Sequence, residues 1–225
     1  MVERARRWEP AFWVWWCKNP GLIEGWEIPW QRSALQLSVT GLGASPLEPG
    51  IPPAEEVWKC AARLIRLGLR PELIDWRYDP LLPGHNTNIA TIEQQAHAAR
   101  ELGISTCITS FVSLYPKVMR RWPAAHPLAT EPQQQAAFLS EMHDCLASFG
   151  IRLSVCTQPH LEPVAAPAAC IDGRRYREIL GLEFDERLAE GQRQGCLCTR
   201  SLDIGWYRIC PGGCLYCYAN PAPSP

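Results

Sequence analysis

Short apolar runs alternate with longer amphipathic ones along the first two thirds of the chain, and this alternation limits the fold more than any other feature. A short apolar run between turn residues reads as a buried strand, while apolar positions three and four apart read as one face of a helix. Phe12 to Cys17 is aromatic and apolar throughout and predicts a strand. Leu35 to Thr40 alternates with period two and predicts a second, broken by Gly41 and Gly43. Pro52 and Pro53 then open a helix with Glu55 and Glu56 in its first turn, where the helix dipole favours acids. Val57, Ala61, Leu64, Ile65 and Gly68 share one face of it. Leu73 to Tyr78 is a third strand, stopped by Asp79-Pro80. Thr91 and Gln94 have capping-box spacing for a helix that ends at Gly103. Ile104 to Phe111 is a fourth strand. Thr130 and Gln133 repeat the capping spacing before a helix that has Pro132 just inside its start and ends at Gly150. Ile151 to Cys156 is a fifth strand, and Pro159 to Pro167 reads as a loop. A last helix is expected between Gly173 and Glu190, with Gly181 interrupting it.

Strands that alternate with helices imply an α/β fold built on a parallel sheet. Such sheets carry their sites at the C-terminal ends of the strands. Here those ends are polar: Lys18-Asn19, Thr40-Gly41, Arg77 with Asp79, Ser110, and Thr157-Gln158. A barrel wall or partial barrel with one polar mouth fits this pattern.

The chain has 225 residues, 47% hydrophobic and 20% charged, enough apolar side chains for a real core. Its 22 basic and 23 acidic residues leave no basic excess for a broad phosphate-binding surface, so nucleic acid is not indicated as a partner. No apolar run approaches the roughly 20 residues of a membrane span. Phe12 to Cys17 follows Glu9-Pro10 and lacks small residues for cleavage, so it does not read as a signal peptide. A cytoplasmic, reducing location is the expectation.

Eleven cysteines then need an explanation other than disulfides. Cys17, Cys60, Cys107, Cys145, Cys156 and Cys170 are scattered, whereas Cys196, Cys198, Cys210, Cys214 and Cys217 crowd the last thirty residues. Cys210, Cys214 and Cys217 have the spacing C-x3-C-x2-C, with Gly212 and Gly213 between the first two and Tyr216 just before the third. Thiolates are the protein ligands of iron–sulfur clusters. Three of them would leave one iron of a cuboidal cluster open to a substrate, and the spacing with Tyr216 looks like the radical S-adenosylmethionine (SAM) signature. Structural zinc is the competing reading, with Cys196-x-Cys198 supplying the other half of the site. Cys196 and Cys198 are in either case candidate metal ligands, because one intervening residue makes a mutual disulfide strained.

The tail from Cys196 to Asn220, with Asp203-Ile204-Gly205, Tyr207, Cys210-Pro211, Gly213-Cys214 and Tyr216-Cys217 in order, resembles the C-terminus of an uncharacterised bacterial family, domain of unknown function 1848. That family is noted for a C-terminal cysteine cluster similar to the iron–sulfur cluster of radical SAM proteins. Trp15-Trp16-Cys17-Lys18-Asn19-Pro20 is similar to the family's FWTKNP strand end, with Cys17 where the family has threonine. Gln36 to Pro53, Trp76 to Pro80, and Ser110-Phe111 with Tyr115 and Lys117 match further blocks. Family members usually begin with one more segment, so this chain is expected to be a truncated form or to have a mis-assigned start.

The resemblance implies a 4Fe–4S cluster on Cys210, Cys214 and Cys217, in preference to zinc. It implies that the open iron chelates SAM, and that one electron from a donor such as a flavodoxin or ferredoxin yields a 5′-deoxyadenosyl radical. That radical would abstract hydrogen from a small-molecule or otherwise unknown substrate. Thr40, Gly41 and Gly43 are then candidates for the loop that approaches SAM, since glycines allow close backbone contact. Lys18, Arg77 and Asp79 are candidates for substrate or carboxylate contacts. Radical SAM enzymes carry the cluster loop after the first barrel strand, so a permuted TIM-type barrel is expected, with Leu202 to Ile209 as the strand feeding the loop. Residues 1–190 would form the partial barrel, and 191–225 a cysteine-rich tail packed on it. The alternatives from other classes are a zinc-binding structural or interaction protein, and an iron–sulfur protein of electron transfer or sensing.

Overall fold

The computed structural model describes residues 10–122, 128, 130–205 and 210–219. Among the described residues six strands run in chain order across one sheet: β1 (Trp13–Cys17), β2 (Ser33–Ser38), β3 (Ile74–Arg77), β4 (Thr106–Thr109), β5 (Arg152–Val155) and β6 (Ala166–Pro167). Every neighbouring pair is parallel. The fold is thus α/β on a parallel sheet. Between the strands lie α1 (Ala54–Arg66), α2 (Ile89–Glu101), a short α3 (Pro116–Met119) and α4 (Pro132–Ser148), and α5 (Gly173–Leu180) follows β6.

One face of the sheet is the main core. Trp15, Leu35, Leu37, Ile74, Trp76, Cys107, Leu153 and Val155 meet α1 through Val57, Trp58, Ala61 and Leu64, and α2 through Ile92, Ala96 and Ala99. The same layer takes Leu139, Met142 and Leu146 of α4. Each such leucine stabilises the fold by about 1.5–3 kcal/mol on burial. Trp76 has no exposed surface, stands edge-on to Trp58 (5.9 Å) and Tyr78 (5.8 Å), and donates from Nε1 to the Val39 carbonyl at 2.9 Å. Because side chains alternate across a strand, the register places Gln36 beside Asp75, and Ser154 beside Ile108, on the opposite face.

The structure corrects several boundaries. The cap of α2 is Asn88, whose side chain accepts from the Thr91 amide at 3.2 Å, not Thr91 itself. The capping box of α4 is Glu131 with Gln134, one residue after the predicted pair. The last helix ends at Leu180 rather than near Glu190, because Gly181 turns the chain with a left-handed φ of 65°. The expected loop Pro159 to Pro167 contains a 3-10 turn (Pro159–Leu161) and the short strand β6. Leu202 to Gly205 are not in a strand, and the rest of the expected strand, 206–209, lies outside the described residues, as does Asn220. Among the described residues no helix is long and apolar enough to cross a membrane.

Candidate functional site

The C-x3-C-x2-C loop docks on the segment that follows β2. The Gly50 amide donates to the Gly212 carbonyl at 3.0 Å, and the Leu215 amide to the Leu47 carbonyl at 3.0 Å. The fit requires glycine at position 50, where a Cβ would lie 2.2 Å from the Pro211 carbonyl oxygen. Cys214 and Tyr216 are buried with Leu42, Ile51, Leu82, Val118 and Trp122 in a second apolar cluster, against which Cys217 also packs. Lys117 Nζ donates to the Tyr218 carbonyl at 2.8 Å, and the Arg121 guanidinium donates to the Cys217 carbonyl.

Gly212 packs tightly on Ile51 and close to two sulfurs: a Cβ there would lie 2.8 Å from Ile51 Cδ1, 3.4 Å from Cys210 Sγ and 3.6 Å from Cys214 Sγ. The Gly212 amide donates to Cys210 Sγ at 3.5 Å, and the Cys217 amide to the Cys214 carbonyl at 3.1 Å. Burial pushes the Cys214 thiol up to about 11. Cys17, at the end of β1, is pushed up to about 12, mainly by burial, and the nearby Cys210 adds to that shift. The structure therefore brings Cys210, Cys214 and Cys17 to one region. Among the described residues, no group of three or more His, Cys, Asp or Glu side chains already has the arrangement to hold a metal ion.

One buried carboxylate ties this loop to the strand ends. Glu48, 1% exposed, accepts from Lys18 Nζ at 3.0 Å, from Thr40 Oγ1 at 2.6 Å, and from the Tyr216 hydroxyl. Lys18 Nζ also lies 5.5 Å from the Tyr216 ring centroid, a cation–π distance. Burial, with the Glu48 charge next in weight, holds the Tyr216 phenol protonated, well above its ordinary range. Glu48 thus links β1, the end of β2 and the cysteine loop through three donors, and its burial is satisfied in the way that buried charge requires.

A second polar network crosses the sheet face opposite α1, α2 and α4. Arg175 forks onto Asp75 (2.6 and 2.9 Å), and Gln36 Nε2 donates to the same carboxylate. Arg77 Nη1 donates to Gln36 Oε1 at 3.2 Å, and its Nη2 to Asp79 Oδ2 at 2.6 Å. Ser110 Oγ donates to the other Asp79 oxygen. Trp16, whose neighbour in register is Gln36, is 52% exposed on this face. The chain thus fixes a buried, ion-paired guanidinium at the end of β3, with the exposed Trp16 on the same face of the sheet two strands away.

Arg77 Nη1 also donates to Cys170 Sγ at 2.9 Å. Cys170 Sγ lies 3.6 Å from Cys156 Sγ, and Cys198 packs against both. Cys198 thus packs against two cysteines that look scattered in the sequence, with Cys196 two residues away. Thr40, Gly41 and Gly43 have internal partners: Thr40 donates to Glu48, while Cβ atoms on Gly41 and Gly43 would lie 2.6 Å from Thr91 Cγ2 and 2.1 Å from the Pro52 carbonyl oxygen. Arg77 and Asp79 pair with each other, and Lys18 pairs with Glu48. The sequence reading missed Glu48, Gln36, Asp75 and Arg175. The available signal was an acidic or amide residue inside an apolar strand, as in Leu35-Gln36-Leu37 and Ile74-Asp75-Trp76.

No curated protein matches the chain. Residues 10–219, a span that contains every strand, every helix and all the cysteines described above, match the family described as "Domain of unknown function (DUF1848)", and the chain belongs to that family.

Proposed function

We propose that the chain is a radical SAM-like iron–sulfur protein, in which Cys210, Cys214 and Cys217 would hold a 4Fe–4S cluster and S-adenosylmethionine would bind beside it. The observation that carries this reading is the seating of the cysteine loop at the C-terminal ends of the parallel strands, with Cys210 and Cys214 on either side of Gly212. The residues fit the group. The donors are soft thiols, and an amide already donates to Cys210 Sγ. When bound, the cluster supplies one-electron reductive chemistry to the SAM sulfonium, with the electron delivered by a flavodoxin- or ferredoxin-type donor.

The chain's own residues supply position. Glu48 fixes the cysteine loop to β1 and β2 through Tyr216, Lys18 and Thr40. Arg77, held by Asp79 and Gln36, keeps a cation at the mouth of the sheet for an anionic part of a small-molecule substrate, and Trp16 offers an exposed apolar surface on the same face of the sheet. Strand order in chain sequence, with parallel neighbours throughout and α1, α2 and α4 on one face, is that of a barrel wall, which supports a partial or permuted TIM-type barrel.

Purified without oxygen, the protein is expected to be brown, with iron and acid-labile sulfide in near-equal amounts. Cys214→Ala is expected to lose both, and SAM with a strong reductant is expected to release 5′-deoxyadenosine. A cluster that never cleaves SAM would leave an electron-transfer or sensing protein. A colourless protein whose zinc disappears in Cys214→Ala would overturn the iron reading altogether.

A further inference from the structure

We propose that Cys156, Cys170, Cys196 and Cys198 form a second metal centre, a closed tetrathiolate that binds one zinc ion, separate from the Cys210–Cys217 loop. This does not rest on the cluster reading above. The first two ligands come from the sheet: Cys156 follows β5 directly, and Cys170 stands between β6 and α5. Their sulfurs are 3.6 Å apart. Zinc–sulfur bonds of about 2.3 Å in a tetrahedron put neighbouring sulfurs about 3.8 Å apart, so this spacing suits two ligands of one mononuclear ion.

The other two ligands come from a strand-like return of the tail. Leu188 and Thr199 form an antiparallel bridge, and the Ala189 amide donates to the Cys198 carbonyl at 2.8 Å. Thr199 then anchors the return on the sheet side: its amide donates to the Ile171 carbonyl at 2.8 Å, and its hydroxyl accepts from the Gly173 amide at 2.9 Å. A Cβ on Gly173 would lie 3.0 Å from the Thr199 side chain, so the glycine permits this approach. The result sets Cys198 against Cys156 and Cys170, in a small cluster closed by Ile108 and Ala168. Cys196 is two residues from Cys198, in a turn where its amide donates to the Arg193 carbonyl at 3.0 Å. No three of these thiols yet have a metal-holding arrangement, so an incoming zinc ion would draw the Cys196–Cys198 segment onto the Cys156–Cys170 pair and replace the thiol protons.

Arg77 supplies the outer partner that thiolate sites need. Its guanidinium, fixed by Asp79 and Gln36, donates to Cys170 Sγ at 2.9 Å and offsets part of the negative charge of four thiolates. The ion would thereby pin residues 187–200 to the ends of β5 and β6 and hold Arg77 in place at the mouth of the sheet.

The test uses the full chain, reduced, stripped with chelator and titrated with zinc alone. One tightly bound zinc per chain is expected, with Cys156, Cys170, Cys196 and Cys198 protected from alkylation in the zinc-loaded wild type. Cobalt in place of zinc is expected to give the intense visible bands of tetrahedral thiolate coordination. Cys156→Ser and Cys170→Ser are expected to weaken zinc binding by more than tenfold, while Cys214→Ala leaves it unchanged. The wild-type protection map decides the matter even where a serine variant fails to fold. Unprotected thiols at these four positions, a Cys156–Cys170 disulfide in the protein as purified, or zinc lost with Cys214 instead would each overturn the proposal.

Discussion

Glu48→Ala is expected to cost about 3–5 kcal/mol, the range for removing one partner of a buried ion pair. The carboxylate is 1% exposed and serves three donors, so its loss strands the Lys18 ammonium, which is only 19% exposed, together with the Thr40 and Tyr216 hydroxyls. Each buried hydroxyl left unpaired adds to the penalty. For a chain of this size the loss corresponds to a fall in melting temperature on the order of 10 °C. The damage should be greatest at the cysteine loop, because Tyr216 is that loop's polar anchor. Cys214, buried in the native protein, should then alkylate much faster than in the wild type. Glu48→Gln keeps an acceptor and most of the shape and is expected to cost markedly less. Denaturant unfolding of the three proteins, with mass-spectrometric readout of Cys214 alkylation, checks both statements. Equal alkylation rates in Glu48→Ala and wild type would mean that the loop is held without Glu48, by its apolar contacts and its other hydrogen bonds.

Asp75→Ala is the second large effect, again about 3–5 kcal/mol, since it leaves the Arg175 guanidinium, 15% exposed, without its forked partner. It also removes the acceptor that holds Gln36, which in turn orients Arg77. The pair itself is an imperfect stabiliser, because Arg175 Nε is buried with no partner among the described residues. The double variant Asp75→Leu with Arg175→Met is therefore expected to recover most of the lost stability, as apolar replacements of buried ion pairs commonly do. Equilibrium unfolding of the single and double variants separates the two cases. A double variant as unstable as Asp75→Ala would show that the network, rather than the stranded charge, carries the energy.

The fold was legible because its signals are local. Phe12 to Cys17, Leu73 to Tyr78 and Ile151 to Cys156 are short apolar runs between turn residues, and each became a strand within one or two residues of the predicted bounds. β6 was not legible: two residues, Ala166 and Pro167, in a stretch rich in proline and alanine carry no period. Gly181 was seen as an interruption, but only its left-handed backbone shows that it ends the helix. The candidate site was half legible. The C-x3-C-x2-C spacing marks three cysteines close in sequence. The approach of Cys156 and Cys170 to Cys198 depends on sheet register and on the return of the tail through Thr199, neither of which leaves a motif. Glu48 was hidden for the same reason, since its donors lie 8, 30 and 168 residues away in sequence.

The tail cysteines are proposed to divide between two centres of different chemistry. Anomalous scattering from anaerobically grown crystals, recorded at the iron and zinc edges, tests this most directly. An iron peak beside Cys210, Cys214 and Cys217, with a separate zinc peak among Cys156, Cys170, Cys196 and Cys198, is the predicted result. A single metal ligated by cysteines from both groups would contradict it, as would zinc in place of iron at the Gly212 loop.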